Sequence, residues 1–482
     1  MSTLEFAGRL AGRLGVNLLV GYLCRHPERN LTRLVGMLKR LAPGDRDRQF
    51  IDNLMARVLD DPRARQRLAE LGRNPRFLER WICNWVLETL FLGNRKRLRQ
   101  GQRLGVHIPQ FMLIDPTEAC NLRCAGCWAG EYEARTMPPE LLDRILNEGK
   151  RFGMHWIVMS GGEPFAYKHI LDVFRRHRDI CFMVYTNGTL IDDRVADVLA
   201  ELGNVSPAFS LEGWRDATDA RRGPGVFDRV MAAMDRLRQR GVLFGASLTA
   251  TRHNVEELFS DEFIDFLIDR GVVYCWSFHY VPVGRDPDPA LMITPQQREW
   301  LARRVPEIRA RKPILLADFW NDGHLTGGCI AGGRYYFHIT AAGEVEPCAF
   351  AHFAVDNIAH KSLLEVLRSP IFQAYQKRQP FNDTHWAPCP IIDAPAALRD
   401  IVAESGARPT HPGAESILRG ALARQLDERA AEWLARARRM EAERAGSRPV
   451  EAKGVGAGPT AAEGAGLRPV EAEGPGLPLA GD

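Results

Sequence analysis

The sequence predicts an α/β protein in which a parallel β-sheet follows an all-α region and precedes a small α+β domain. Residues 1–105 show apolar residues at helical spacing and no strand-like alternation. Between residues 110 and 285, six short apolar runs alternate with helical segments, which is the pattern of parallel β/α units. Residues 312–412 add a hairpin pattern and three more cysteines.

These changes of pattern divide the chain into five expected segments. They are a helical N-terminal region (1–105), a β/α core (106–311), a small cysteine-containing domain (312–412), a C-terminal helix (413–445) and a tail (446–482). The tail is rich in Gly, Pro, Ala and Glu, a composition that cannot bury a core, so we expect it to be disordered.

The N-terminal region is basic and carries apolar stripes. Residues 1–110 contain 21 Lys and Arg against 10 Asp and Glu, although the whole chain has a net charge of only +4. The stripes are Leu10, Leu14, Leu18 and Leu19, then Leu31, Leu34, Val35, Leu38 and Leu41. Such a region could lie on an anionic membrane surface, and a solvated helical face explains the charge equally well.

Composition also bears on the cellular compartment. We find no apolar core of the signal-peptide type at the N-terminus and no run of about 18 apolar residues that could span a membrane. The ten cysteines are clustered, unlike a disulfide framework. We therefore expect a cytoplasmic protein, peripheral at the inner membrane face if the basic region binds lipid, with no nucleic-acid partner.

Six candidate strands alternate with candidate helices in the core. The strands are Phe111–Ile114, Trp156–Met159, Phe182–Tyr185, Ala208–Leu211, Phe244–Leu248 and Tyr274–Tyr280, and the helices lie near 138–152, 167–177, 192–202, 227–240 and 256–270. Functional loops of β/α folds follow the carboxyl ends of the strands, so the residues after each strand form the candidate site.

Three cysteines follow the first strand at C-x3-C-x2-C spacing, namely Cys120, Cys124 and Cys127. Three thiolates can hold three irons of a cubane iron–sulfur cluster and leave the fourth iron without a protein ligand. Zinc is the alternative, but a structural zinc site takes four ligands, usually from paired motifs, and no second CxxC or HxxxH is present.

The other strand endings carry small, polar or charged residues. They are Ser160-Gly161-Gly162-Glu163-Pro164, Thr186-Asn187-Gly188, Ser210-Leu211-Glu212-Gly213 with Arg221-Arg222 beyond it, Ser247-Leu248-Thr249, and Pro282-Val283-Gly284-Arg285. Glycines let a backbone approach a ligand, and a carboxylate can accept hydrogen bonds from an ammonium group. One such ending could be an ordinary turn, but five in register after a cysteine triplet indicate a binding site.

With these motifs, residues 110–285 resemble the radical S-adenosylmethionine (radical SAM) enzymes. The resemblance depends on the C-x3-C-x2-C loop and on the Gly-Gly-Glu-Pro and Ser-Leu-Glu-Gly endings. It implies a partial (β/α)6 TIM-like barrel and a 4Fe–4S cluster on Cys120, Cys124 and Cys127. It also implies that S-adenosylmethionine binds the open iron through its amino and carboxylate groups.

The resemblance further implies which residues bind the cofactor, and it assigns no catalytic residue. The implied residues are Gly161, Gly162 and Glu163 beside the methionine amino group, Ser210 and Glu212 beside the ribose or carboxylate, Arg222 paired with the carboxylate, Val283 and Gly284 on the adenine side, and Asn187 at the third ending. The family usually has an aromatic residue just before the third cysteine. Here that residue is Gly126, and Trp128 follows the cysteine instead. This departure leaves the three cysteine thiolates unchanged and concerns the packing on the adenine side of S-adenosylmethionine.

A second cysteine set follows the core. Cys329 and Cys348 bracket a predicted hairpin that turns at Ala342-Gly343, and Cys389 comes later. The spacing C-x13-G-x4-C is similar to the start of the SPASM/twitch extensions of radical SAM enzymes, which hold auxiliary iron–sulfur clusters. We expect one auxiliary 4Fe–4S cluster on these three cysteines, with a fourth iron that is open to substrate or bound by Asp393 or His385. The alternative is three ordinary buried thiols.

The resemblance implies the reaction but not the substrate. A low-potential donor of the ferredoxin or flavodoxin type reduces the cluster, S-adenosylmethionine is cleaved to methionine and a 5′-deoxyadenosyl radical, and this radical abstracts a hydrogen atom from the substrate. We expect a lipid or isoprenoid substrate because of the basic N-terminal region. Two alternatives stay open: a peptide- or protein-modifying maturase, and an iron–sulfur electron carrier or sensor without radical chemistry.

Overall fold

The structure, a computed structural model, describes residues 3–25, 29–30, 32–33, 61–130 and 134–446. The second apolar stripe of the N-terminal region and the tail from residue 447 onward lie outside the described residues. Within the described part of the chain, no helix has the length and apolar character needed to cross a membrane.

Helices account for most of the described N-terminal region. Their bounds are Thr3–Arg25 (α1), Pro62–Gly72 (α2), Pro75–Ile82 (α3), the π-helix Cys83–Gly93, and Asn94–Leu104 (α4). Helix α3 begins where the Asn74 side chain accepts the backbone N–H of Phe77 at 3.1 Å. The amide of Asn74 also donates to the carbonyls of Ala200 and Arg240, at 3.0 and 3.2 Å, which fixes α3 against the core.

Parallel strands form the core. These strands are Phe111–Ile114 (β1), Trp156–Met159 (β2), Cys181–Thr186 (β3), Val205–Leu211 (β4), Gly245–Ala250 (β5), Tyr274–His279 (β6) and Leu315–Asp318 (β7). The strands after the core are His338–Ile339 (β8), Glu344–Glu346 (β9), Phe353–Ala354 (β10), Asp356–Asn357 (β11) and Arg408–Pro409 (β12), of which β10 and β12 form a separate antiparallel pair. One sheet has the order β11-β9-β8-β1-β2-β3-β4-β5-β6-β7, and each neighbouring pair from β1 to β7 is parallel. This confirms the predicted α/β fold with a partial barrel.

Helices connect these strands. Their bounds are Pro139–Phe152 (α5), Ile170–Arg176 (α6), Asp193–Leu202 (α7), Arg215–Arg222 (α8), Val226–Gln239 (α9), Val255–Leu258 (α10), Asp261–Asp269 (α11) and Pro295–Arg311 (α12). Helix α5 illustrates their packing, because Leu142, Ile145, Leu146 and Gly149 form a single buried face at helical spacing.

The predicted strands are all present, and their ends differ from the predicted ends by up to three residues. Strand β7 was not predicted. Its sequence, Leu-Leu-Ala-Asp, ends in a charged residue and follows a helix with many charges, so the apolar pattern that would predict a strand is weak. It lies beyond the predicted end of the core at residue 311, and Leu315 pairs with Tyr274 of β6.

The cysteine-containing domain extends the same sheet. Strand β8 pairs in parallel with β1, aligning His338 with Leu113, and forms the predicted hairpin with β9. The turn contains Gly343 at a φ of +82°. Further elements of the domain are the helices Gly323–Thr326 (α13), Leu363–Leu367 (α14), Pro370–Lys377 (α15) and Pro395–Ser405 (α16), and the C-terminal helix Ala421–Gly446 (α17) follows it.

One hydrophobic core joins the barrel and the cysteine-containing domain. Met112, Phe182, Phe337 and Phe372 all belong to it and are at most 1% exposed. A smaller cluster with Ala302, Trp386 and Trp433 holds α17. The C-terminal strands and helices therefore have a fixed position at the edge of the barrel, which places the second cysteine set next to the first.

Candidate active site

The loop after β1 carries the first three predicted ligands and faces a large cavity. Cys120 is exposed, Cys124 and Cys127 are half-buried, and all three line the cavity. Among the described residues, no three His, Cys, Asp or Glu side chains converge on a position for a single metal ion. A four-iron cluster attaches each thiolate to a different iron, so its ligands stay farther apart than those of one zinc ion.

The glycines after β2 support this loop through their backbone. The N–H of Gly162 donates to the carbonyl of Thr117, and the N–H of Glu163 donates to that of Ala119, both at 2.9 Å. A Cβ on Gly162 would overlap the carbonyl oxygens of Glu118 and Ala119. Only glycine allows the two loops to approach this closely.

The loop after β6 makes a second contact of this kind. Gly284 has a φ of +81°, and a Cβ there would overlap the carbonyl oxygens of Cys127 and Trp128. The next residue, Arg285, donates from its backbone N–H to the carbonyl of Cys127 at 2.9 Å and from its guanidinium to that of Cys124 at 3.2 Å. The cysteine loop is therefore held from two sides.

The carboxylate of Glu163 is buried and used within the protein. It accepts hydrogen bonds from the Thr186 hydroxyl at 2.8 Å and from the backbone N–H groups of Asn187 at 2.7 Å and Phe165 at 3.1 Å. Burial raises the pKa of Glu163 to about 7, although these hydrogen bonds oppose the rise. The side chain ties the end of β2 to the end of β3.

Glu212, which follows β4, anchors two arginines. Its side chain is 1% exposed and accepts from Arg221 Nη1 and Arg222 Nη2, both at 2.6 Å. Arg221 also donates to the carbonyl of Gly126 in the cysteine loop at 3.3 Å. Both arginines line the cavity. Burial raises the pKa of the Cys127 thiol, and the charges of Arg221 and Arg222 oppose that rise.

Asn187 joins the end of β3 to the cysteine loop. Its Nδ2 donates to Asn121 Oδ1 at 2.9 Å and lies 3.9 Å from the sulfur of Cys120. Its Oδ1 accepts the backbone N–H of Thr189 at 2.9 Å, which fixes the orientation of the amide.

The structure divides the predicted cofactor residues into two groups. Those that line the cavity are Gly161, Gly162, Asn187, Ser210 and Arg222. The others lie behind that lining, where they support the loops, and they are Glu163, Glu212, Val283 and Gly284.

The second cysteine set lines the same cavity, and its members are Cys329, Cys348 and Cys389. Of the two candidates for a fourth ligand, Asp393 is held by Arg298, whose Nη2 lies 3.2 Å from Oδ2. The same oxygen accepts the backbone N–H of Cys389 at 3.0 Å. His385, the other candidate, is exposed and does not line the cavity.

The cavity has a volume of about 210 Å³. Twelve of the described lining residues are aromatic; those on the barrel strands or just after them include Trp156, Tyr185, Trp276, Phe278 and Phe319. The mouth lies near the exposed Cys120, and both thiol triplets face one aromatic chamber.

Comparison with known protein families agrees with this geometry. Residues 114–258 match the radical SAM superfamily, and residues 329–390 match SPASM, an iron–sulfur cluster-binding domain. The chain therefore contains a radical SAM domain followed by a SPASM domain. The first cysteine triplet lies within the radical SAM match, and the second lies within the SPASM match.

Individual relatives are distant. Over 201 residues the chain is 29% identical to the Fe-coproporphyrin III synthase of Methanosarcina barkeri, covering 39% of this chain and 50% of that protein. Over 301 residues it is 27% identical to the PqqA peptide cyclase of Ruegeria pomeroyi, covering 58% of this chain and 79% of that protein. The crystal structure of Streptococcus suis SuiB aligns at a TM-score of 0.49 and 20% identity, over 59% of this chain and 71% of that one.

The residues present fit the cofactors of these domains. The radical SAM domain implies a 4Fe–4S cluster and S-adenosylmethionine, and the SPASM domain implies auxiliary iron–sulfur clusters. Two sets of three thiols at one cavity supply the soft sulfur ligands that such clusters take. Gly162 and Gly284, at which a side chain would collide with the first cysteine loop, keep that loop in shape without occupying the cavity.

Some residues that line the cavity are not among the residues predicted to bind a cofactor or a cluster. Arg221 adjoins the predicted Arg222, and this adjacency is its only local signal. Tyr336 lines the cavity beside Cys348, and its only signal is a position between two predicted ligands. His279 and Tyr280, at the end of β6, also line the cavity.

Proposed function

We propose that the protein is a radical SAM enzyme that modifies a peptide. In this proposal Cys120, Cys124 and Cys127 hold the cluster that binds S-adenosylmethionine, and Cys329, Cys348 and Cys389 hold one auxiliary cluster. The observation that carries the proposal is that both triplets line one cavity. Such a cavity can hold a substrate between a radical source and an electron acceptor.

When bound, the reduced cluster and S-adenosylmethionine supply a 5′-deoxyadenosyl radical that abstracts a hydrogen atom from the substrate. The protein contributes position and exclusion of water. Asn187 and Arg222 present an amide and a cation at the cavity wall beside the cysteine loop, where an amino acid carboxylate would find hydrogen-bond donors. The aromatic wall excludes water from the rest of the chamber.

A peptide substrate is supported by the opening of the cavity and by a relative. Cys120 lines the cavity and is exposed, so the cavity opens to solvent there. The relative named PqqA peptide cyclase is covered over 79% of its length. A side chain of an extended peptide could enter the chamber while the rest of the peptide stays at the mouth.

A tetrapyrrole is the second candidate. Planar macrocycles stack on aromatic side chains, and twelve described aromatic residues line the chamber. The match to the relative named Fe-coproporphyrin III synthase covers half of that protein's length. A lipid or isoprenoid, our first expectation from the sequence, is named by neither relative. The carrier or sensor alternative is disfavoured because these relatives are enzymes.

The partners we propose are a ferredoxin or flavodoxin as electron donor and, more weakly supported, an anionic membrane surface. In the described N-terminal helices Leu18 is 76% exposed and Phe91 is 59% exposed, and the exposed Arg95 and Arg99 lie on α4. Sedimentation of the full chain with anionic vesicles at low salt tests membrane binding. If the protein does not bind these vesicles, the membrane surface is removed from the proposed partners.

The decisive experiment measures 5′-deoxyadenosine. The reconstituted, reduced protein is incubated with S-adenosylmethionine and with one of three probes: synthetic peptides encoded beside the gene, Fe-coproporphyrin III, or anionic vesicles. We expect the peptide arm to raise 5′-deoxyadenosine and to change the mass of the peptide. Stimulation only by the porphyrin would overturn the peptide assignment, and no product in any arm, with iron at full stoichiometry, would overturn the radical chemistry.

A further inference from the structure

A phenol donates to one of the predicted auxiliary ligands. The Tyr336 hydroxyl lies 3.2 Å from the sulfur of Cys348, both residues are buried, and both line the cavity. We propose that Tyr336 raises the reduction potential of the auxiliary cluster by donating a hydrogen bond to the Cys348 thiolate. This inference rests on the proposed function, because it requires Cys348 to be a cluster ligand.

The position of Tyr336 is fixed by the barrel. The N–H of Phe111 donates to the carbonyl of Tyr335 at 3.1 Å, and the N–H of Leu113 donates to that of Phe337 at 3.0 Å, so Tyr336 lies between two bonds to β1. Its ring stacks on that of Phe111 with 5.2 Å between centroids and 4° between planes. The hydroxyl is therefore held in place from outside the cysteine-containing segment.

The phenol remains a donor across the working pH range. A phenol in water has a pKa of about 10. The hydroxyl thus keeps its proton at neutral pH. A thiolate beside it, which carries negative charge, is a better acceptor than a neutral thiol.

The donors to Cys348 and to Cys120 differ in the phenol of Tyr336. Cys348 receives the backbone N–H of Phe350, two residues on, at 3.5 Å, and Cys120 receives that of Leu122, also two residues on and at 3.5 Å. The backbone donors are therefore matched. Cys348 has the phenol in addition, whereas Cys120 has the more distant amide of Asn187 at 3.9 Å.

The sign of the effect follows from charge. One-electron reduction adds a negative charge to the cluster and makes its sulfurs better acceptors, so a donor stabilises the reduced form more than the oxidised form. No proton needs to move. The auxiliary cluster would then take an electron from a substrate radical more readily than a cluster without this donor.

A second phenol provides a graded control. The Tyr375 hydroxyl lies 3.8 Å from the sulfur of Cys329, which is a weaker contact than that of Tyr336. Its ring packs against Gly332, which has a φ of +70° and where a Cβ would overlap the ring. Tyr375→Phe should therefore change the potential in the same direction and by less.

The test is a redox titration of the full reconstituted chain, followed by electron paramagnetic resonance. Cys120, Cys124 and Cys127 are changed to Ala so that only the auxiliary signal remains, and Tyr336→Phe is compared with Tyr375→Phe in that background. We expect Tyr336→Phe to lower the midpoint potential by about 59 mV, a tenfold change in a one-electron equilibrium. An unchanged or higher potential, with the auxiliary signal intact, would overturn the inference.

Two further outcomes are separable. If the background protein with Tyr336 intact assembles no iron on the second cysteine set, the proposed function fails and the inference fails with it. If Tyr336→Phe alone loses its iron, a fluorinated tyrosine at position 336 keeps the ring and strengthens the hydroxyl as a donor. That replacement should raise the potential, and a potential equal to or below that of the unfluorinated protein would refute the role of the phenol.

Discussion

The ring of Tyr280 occupies the space beside Gly126, so that a Cβ at position 126 would lie 2.9 Å from Cε2 of Tyr280. Gly126 also has a φ of +59°, a conformation that favours glycine. The missing aromatic side chain in the cysteine loop is therefore matched by an aromatic ring that arrives from the end of β6. The departure from the usual loop is a local exchange of packing partners within the radical SAM site.

Replacing this glycine should harm the first cluster site. Gly126→Ala combines a strained backbone with overpacking against Tyr280, and the overpacking costs about 1–3 kcal/mol in addition to the strain. Thermal unfolding and iron content measure the effect. Gly105→Ala is the matched control, because Gly105 has a φ of +61° and open space around its Cα. Equal destabilisation by the two variants would contradict the contact with Tyr280.

Breaking the anchor of the paired arginines should weaken cofactor binding. Glu212→Gln leaves Arg221 and Arg222 without their buried carboxylate, a loss of about 3–5 kcal/mol for a buried pair. We expect weaker binding of S-adenosylmethionine by calorimetry and less iron on the first triplet. Asp228→Asn, which breaks the exposed pair of Asp228 with Arg215, should change neither quantity. Full retention of cofactor affinity in Glu212→Gln would refute the anchoring role.

A buried histidine should make stability depend on pH. His338 lies 2.9 Å from Asp115 and 2.6 Å from Glu346. Burial lowers the pKa of His338, but the two carboxylates outweigh that effect and raise it to about 10. Because the folded pKa exceeds the unfolded value of about 6.5, the stabilisation is complete below pH 6.5 and is lost as pH rises through about 10.

The measurement is the free energy of unfolding between pH 7 and pH 10. The folded protein should lose stability over this range, and His338→Gln should flatten the curve while costing about 3–5 kcal/mol at pH 7. His360→Gln, at an exposed position, serves as the control. A curve with the same slope in the wild-type protein and in His338→Gln would show that His338 does not carry the dependence.

Asp393 should support the auxiliary site without binding its cluster. Its carboxylate is held by Arg298 and by the N–H of Cys389. Asp393→Asn should destabilise the protein by about 3–5 kcal/mol because a buried arginine loses its partner, while the auxiliary resonance signal keeps its shape. Arg298→Met tests the same pair from the other side. A change of the signal in Asp393→Asn but not in Arg298→Met would identify Asp393 as the fourth ligand.

Much of the fold follows from local pattern. The strands β1 and β2 begin and end where the apolar runs predict, because a short buried strand between polar turns has a clear signal. Strand β7 lacks such a signal, since Leu315 at its start is exposed and its last residue is the charged Asp318. Its pairing with β6 is decided by the neighbouring strand and not by its own sequence.

The candidate site shows the same division. Glu163, which the sequence places beside a ligand, is turned into the protein by three hydrogen bonds that come from Thr186, Asn187 and Phe165. A carboxylate next to two glycines has the same local sequence whichever way it points. Phe165 is two residues away, but Thr186 and Asn187 lie at the end of the next strand, and no local pattern contains those two donors.

The sequence by itself determined the two cysteine triplets, the order of strands and helices and the presence of a radical SAM domain, because spacing and periodicity are local properties of the chain. Only the tertiary structure decided that both triplets line one chamber. That arrangement requires β8 to pair with β1, aligning His338 with Leu113 across residues far apart in the chain. Burial of the shared hydrophobic core, and not any sequence motif, holds the two triplets together.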